Sequence, residues 1–298
     1  MSLCSCGRGF PVPIVWLTLS AAPASGASSA GGADADAQAR MFAAGDAYDR
    51  FMGRWSRRLA PAFAEFAGVA DGDRVLDVGT GTGALAAAVA AMTSRSEVVG
   101  IDPSPGFIAA ATRNAGPRLK LERGDAQALP FPDRSFDRSM ALLVMNFVPE
   151  PEQALREMRR VTRPGGGVSA CVWDYDAGMQ MLRIFWDEVV ALDPAAEPRD
   201  ERHMKLSRQG QLGALWRKAG LVDVQERPIE IEQAFTSFDD YWSPFVAGAG
   251  PAGAYAVSLP EDRRRQLAER VKARLLGDRN DRAFRLQARA WCVRGVVP

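Results

Sequence analysis

The stretch from residue 74 to residue 102 constrains this chain more than any other. Arg74-Val75-Leu76-Asp77-Val78 is a short β-branched apolar run, and Gly79-Thr80-Gly81-Thr82-Gly83 follows it directly. Ala84 to Met92 is almost pure Ala, Leu and Val, the composition of a strong helix former. Val98-Val99-Gly100-Ile101-Asp102 then reads as a second buried strand. Strand, glycine turn, helix and strand in so few residues make a βαβ unit, which commits the chain to a parallel sheet with crossover helices.

The alternation continues. Phe107 to Asn114 reads as a helix after Pro103 and Pro105, Leu119 to Arg123 as a third strand ending at Gly124-Asp125, and Phe136 to Leu143 as a fourth. Pro151 opens a helix that Pro164 to Gly167 closes, and Val168 to Trp173 is the fifth strand. Met179 to Leu192 carries apolar residues at helical spacing, and Gln211 to Ala219 is a helix stopped by Gly220. Leu221 to Gln225 alternates as a strand, Phe235 to Leu276 is a mainly helical insertion, and Arg289 to Val293 is the last strand. The fold class is therefore α/β: a doubly wound, seven-stranded, mostly parallel sheet with a helical insertion near the C-terminus. Ligands of such sheets sit beyond the carboxyl ends of the strands, near strand one. Asp77, Asp102 and Asp125 all fall at or beside strand ends.

Composition narrows the function. Of 298 residues, 37 are Lys or Arg and 36 Asp or Glu, so a net charge of +1 offers no basic field for nucleic acid or anionic membrane. The single histidine, His203, excludes multi-histidine zinc sites, and no cluster of oxygen or nitrogen ligands implies a metal. Cys4, Cys6, Cys171 and Cys292 are spaced neither as a disulfide framework nor as a zinc ribbon, which indicates reduced thiols and a cytoplasmic location. Residues 1–40, rich in Ala, Ser, Gly and Pro, lack the large apolar side chains that repay ordering, and read as a disordered or spurious extension upstream of Met41. An export signal is the alternative: Arg8, the apolar Ile14 to Leu19 and an Ala22-Pro23-Ala24 cleavage site. No stretch reaches the ~18 uninterrupted apolar residues of a membrane span.

The glycine loop admits two cofactors. Gly79, Gly81 and Ala84 satisfy a relaxed dinucleotide fingerprint with Asp102 near the ribose-acid position, which would make the chain an NAD-dependent oxidoreductase. A pyrophosphate, however, is repelled by a carboxylate at its turn, and Asp77 stands two residues before Gly79. A ligand with an ammonium, a sulfonium and no phosphate is attracted there instead. S-adenosyl-L-methionine (SAM) is such a ligand.

Val75 to Gly83 resembles motif I of the class I SAM-dependent methyltransferases, and Val98 to Asp102 the acidic-strand motif that follows it. Gly124-Asp125-Ala126 with Leu129-Pro130-Phe131-Pro132-Asp133-Arg134-Ser135-Phe136-Asp137 resembles the adenine-contacting segment and strand four of the UbiE-like (methyltransferase type 11) branch. Glu157-Met158-Arg159-Arg160-Val161 before Arg163-Pro164-Gly165-Gly166 is similar to that branch's turn into strand five. The resemblance is good over residues 45 to 175 and weaker beyond. It implies a Rossmann-like fold in which 71–175 binds SAM, 41–70 forms a helical lid, and 176–298 supplies the acceptor side.

It also implies roles. Asp102, followed by Pro103, accepts both ribose hydroxyls; Asp125 and the Ala126 backbone hold the adenine; Asp77, with Gly79, Thr80, Gly81 and Gly83, accommodates the methionyl part. Met145 and Asn146 lie beside the methyl group, and Tyr48 and Arg54 reach the cofactor from the lid. The reaction is an in-line transfer of the methyl group to a small, apolar or aromatic acceptor. Asp174, Tyr175, His203 and Tyr241 are candidates for a base, and no spacing argument selects among them. A SAM-binding regulatory or assembly protein without catalysis is the alternative from another class.

Overall fold

The computed structural model describes residues 49–113, 116–277 and 280–298. The expectations for residues 1–40 and for Tyr48, and the helix end at Asn114, lie outside the described residues. Seven strands form one sheet in the order β3-β2-β1-β4-β5-β7-β6. These are β1 (Arg74–Val78), β2 (Glu97–Asp102), β3 (Leu119–Arg123), β4 (Phe136–Leu142), β5 (Thr162–Trp173), β6 (Val222–Phe235) and β7 (Phe284–Val296). Among the described strands only β7 runs antiparallel, against both β5 and β6. Among the described residues no helix is long and apolar enough to cross a membrane.

Helices cover both faces. After a short π-helical turn at Asp49–Gly53 come α1 (Arg54–Phe66), α2 (Ala84–Met92), α3 (Pro105–Arg113), α4 (Pro151–Val161), α5 (Gln180–Leu192) and α6 (Gln211–Lys218). The insertion between β6 and β7 holds α7 (Phe238–Val246), α8 (Gly250–Ser258) and α9 (Glu261–Leu276). Strand order reverses beside β1, with β2 on one side and β4 on the other, so the crevice of the fold opens above the β1 carboxyl end.

Two elements go beyond the sequence reading. The first lies in the stretch 41–70, whose described part includes α1, a helix packed into the core. Trp55, Leu59 and Phe63 of α1 are fully buried, and the Trp55 indole donates to Met181 Sδ at 3.2 Å. Burying three such side chains contributes several kcal/mol at roughly 1.5–3 kcal/mol each, which sets α1 among the layers of the core. The second is the β6–β7 ribbon, which pairs from Val222↔Val296 to Phe235↔Phe284, well beyond the short strands expected. Pro228 and the charged Glu226, Glu230 and Glu232 mask the strand period of β6, and they suit it to an exposed sheet edge.

Candidate functional site

The turn after β1 is shaped by backbone that only glycine adopts easily. Gly79 holds φ +70°, and a Cβ there would stand 2.5 Å from the Val144 side chain. Gly81 holds φ +54° with nothing within 4 Å of its Cβ position, so a side chain would project into open space. Gly79 and Thr80 donate their N–H groups to the Ile101 carbonyl, tying the loop to the end of β2. Gly83 caps α2 from the far end of the loop. Above this turn lies a cleft of about 660 Å³ lined by the ends of β1, β2 and β4 and by the segment after β3, within the usual range for small-molecule sites.

Asp102 closes β2 on the wall of this cleft, and it is held in place by backbone donors. Its Oδ2 accepts from Gly81 N–H at 3.0 Å and its Oδ1 from Ser104 N–H at 2.9 Å. Each oxygen keeps capacity for a further donor. Burial raises the Asp102 pKa, and the two N–H groups oppose that rise. Asp125 is exposed and accepts from the Gln127 N–H at 2.9 Å in a local turn. Asp125, Ala126 and Pro103 all line the cleft.

Asp77 is the unusual group. It is buried, lines the cleft, and accepts the Thr80 hydroxyl on Oδ2 at 2.8 Å, whereas its Oδ1 completes no hydrogen bond. Burial pushes its pKa up to about 7; the Thr80 hydroxyl and the nearby Ala86 N–H act against this, and the Asp102 charge adds to it. A buried carboxyl without a counter-charge is costly. One bordering a cleft marks a candidate position for a cationic group of a ligand.

The structure therefore gathers Asp77, Gly79, Thr80, Gly81, Asp102, Pro103, Asp125 and Ala126 around one cleft. Other candidates fall elsewhere. Met145 and Asn146 are buried outside the lining, because the chain turns after β4 and presents Leu143, Val144 and Phe147 instead. Arg54 is drawn to the insertion, where its guanidinium pairs with Asp240 at 3.0 Å and covers the Phe235 ring at 4.8 Å. A double-mutant cycle with Arg54→Ala and Asp240→Ala, read by urea unfolding, is expected to give a coupling of about 1 kcal/mol for this part-exposed pair.

The four candidate bases are also dispersed. Asp174 is neutralised by Arg289, whose Nη2 lies 2.6 Å from Oδ2. Tyr241 is fully buried with its hydroxyl on the Met181 carbonyl at 2.8 Å, and burial pushes its phenol higher, which keeps it protonated. His203 is exposed and pairs through Nε2 with Glu197 at 2.7 Å. Tyr175 lines a small second chamber, together with Phe51, Met52, Trp173, Leu182 and Glu201. Leu143 and Phe147 line both compartments.

Two residues escaped the sequence reading. Leu143 takes φ +62° just after β4, a conformation that leucine rarely adopts and no local motif announces. Glu201 is buried, and sequence proximity to the lone histidine drew attention to its neighbour instead. Its only sequence signal is an acid beside aspartate in a segment between two helices.

Comparison with known proteins places the chain in a family. The family described as a methyltransferase domain matches residues 75–166. A phosphatidylethanolamine N-methyltransferase of Cereibacter sphaeroides is 37% identical over 141 residues, covering 45% of this chain and 66% of that protein. A demethylmenaquinone methyltransferase of Clavibacter sepedonicus is 32% identical over 205 residues, covering 63% of this chain and 78% of that protein. The chain spans about half the length of several other curated relatives. The crystal structure of the YcgJ protein of Bacillus subtilis shares the fold at a TM-score of 0.52 and 19% identity, covering 81% of this chain and 97% of that one. With its glycine turn, acidic strand ends and sheet order, the chain belongs to the class I SAM-dependent methyltransferases of the UbiE-like kind.

Proposed function

We propose that this chain transfers the methyl group of SAM to a small, mainly apolar or aromatic acceptor in the cytoplasm. The observation that carries the proposal is Asp77: a buried carboxyl on the cleft wall with one oxygen unpartnered. The residues present fit SAM. Asp77 would face its cationic methionyl end, the open Cβ position of Gly81 leaves room for it, and Asp102 would accept the ribose hydroxyls. Asp125 and Ala126 would border the adenine. The bound cofactor supplies an activated methyl group on a good leaving group, so alignment by the protein can contribute about 7–11 kcal/mol to lowering the barrier.

This chain's own residues then orient and exclude water. The backbone-anchored Asp102 carboxylate would fix the ligand across the carboxyl ends of the strands, and Leu142, Leu143, Val144 and Phe147 line the cleft with apolar groups. Asp77 argues against a dinucleotide, whose pyrophosphate it would repel.

Calorimetry with S-adenosylhomocysteine (SAH), followed by incubation of the protein with methyl-labelled SAM and a metabolite extract, tests the proposal. Binding and label transfer to a small molecule are expected. Binding without transfer would leave a SAM-binding protein lacking catalysis, and NADH binding without SAH binding would end the proposal.

A further inference from the structure

One end of the cleft is held from outside by a single helix. Asp125, Ala126 and Gln127 line the cleft after β3, and Gln127 is the join. Its Nε2 donates to both Asp125 oxygens, at 3.2 and 3.1 Å, and its N–H donates to Oδ1 at 2.9 Å. Its Oε1 accepts the N–H of Glu150, the residue before α4, at 3.0 Å, and its carbonyl accepts from Gln153 Nε2 at 3.2 Å. One amide side chain thus ties the Asp125 carboxylate to α4.

The same helix holds the residues that follow. Glu157 Oε2 accepts the Leu129 N–H at 2.9 Å. Arg160 donates from Nη2 to the Leu129 carbonyl at 2.9 Å, and from Nη1 to the Phe131 carbonyl and Asp133 Oδ1, each at 2.8 Å. Glu157 and Arg160 also pair with each other at 2.7 Å. The spacing of Gln153, Glu157 and Arg160 puts all three on one helix face. β3 ends at Arg123 and β4 starts at Phe136, so the stretch between them lies outside the main ladder. Backbone groups of Gln127, Leu129 and Phe131 find their partners on α4 instead. The rigid guanidinium fork suits Arg160 to hold two carbonyls and two carboxylates at once.

We propose that Gln127, backed by the α4 face of Gln153, Glu157 and Arg160, positions Asp125 to accept the adenine amino group and so sets a preference for adenine over a 6-oxo purine. The proposal deepens the methyl-transfer reading and rests on it, since that reading places adenine beside Asp125 and Ala126. The preference is electrostatic: an amino group donates to a carboxylate, whereas a carbonyl oxygen in its place presents lone pairs to the charge. A carboxylate on an exposed turn discriminates between the two only when it is held in place beforehand. Gln153, Glu157 and Arg160 do not line the cleft, so they act as positioning residues.

The test is calorimetric titration with SAH and with S-inosylhomocysteine, whose purine carries a carbonyl where adenine carries its amino group. The wild type is expected to prefer SAH about tenfold or more, the contribution of one hydrogen bond to a charged group. Gln127→Ala and Arg160→Ala should each cut that preference at least about threefold, with SAH weakened and the analogue little changed. Arg160→Lys, which lacks the fork, should fall between wild type and the alanine variant, and it stands in for that variant if the latter does not fold. Arg138→Ala is the control for lost stability: it removes the ion pair with Asp73 at 2.6 Å, near the opposite end of β4. It should melt lower and keep the wild-type preference. Equal binding of the two ligands by the wild type would overturn the proposal. So would an unchanged preference in Gln127→Ala or in the Arg160 variants, or an equal loss in Arg138→Ala. Failure of the wild type to bind SAH would instead overturn the methyl-transfer reading.

Discussion

Asp102→Ala should weaken SAH binding by about 10²–10⁴-fold. The carboxylate would meet two ribose hydroxyls, and each hydrogen bond to a charged acceptor contributes roughly 1.5–3 kcal/mol; about 1.4 kcal/mol is tenfold in affinity. The substitution also strips the Gly81 and Ser104 N–H groups of their acceptor, which loosens the turn that carries the cleft floor. Asp102→Asn keeps one acceptor oxygen and should lie between the alanine variant and wild type. Calorimetry with SAH checks both, and an alanine variant with wild-type affinity would remove Asp102 from the site.

Asp77→Asn should act in opposite directions on folding and on binding. Burial pushes the Asp77 carboxyl up to about 7, well above the usual carboxylate range. A carboxyl raised in this way binds its proton more tightly in the folded chain, so stability falls as pH rises from about 4 to about 7 and the cost is fully present above 7. A shift of this size corresponds to a few kcal/mol at 1.36 kcal/mol per unit. An amide carries no charge to desolvate and can still accept the Thr80 hydroxyl. At pH 8 the variant should therefore melt several degrees higher than wild type in the absence of ligand, whereas at pH 4 the difference should vanish. SAM affinity should fall, and its decline in the wild type below pH 7 should disappear. Differential scanning calorimetry across pH, with and without ligand, measures both effects. Equal melting temperatures at pH 8 would mean that the Asp77 carboxyl is not desolvated.

The half of the fold around the cleft was legible because its signals are local. A β-branched run, alternating glycines and an alanine helix each declare themselves within a few residues, and Asp77, Asp102 and Asp125 sit at strand ends that such runs delimit. The acceptor half was not, because what assembles it is non-local. Trp55 meets Met181, and Arg54 meets Asp240, across separations that no window along the chain spans. Tyr241 looked free to act as a base until Met181 was placed against its hydroxyl. Glu201 is enclosed by Trp186 and an apolar wall drawn from five different segments. Leu143 shows the same limit in the backbone: nothing in Ala-Leu-Leu-Val announces which leucine reverses its φ.

That reversed leucine, with Phe147, is a partition common to two rooms. Close-packed interiors transmit displacement rather than absorb it, so filling one room changes the free energy of filling the other. A substitution that moves Leu143 or Phe147 is therefore expected to reshape both rooms at once.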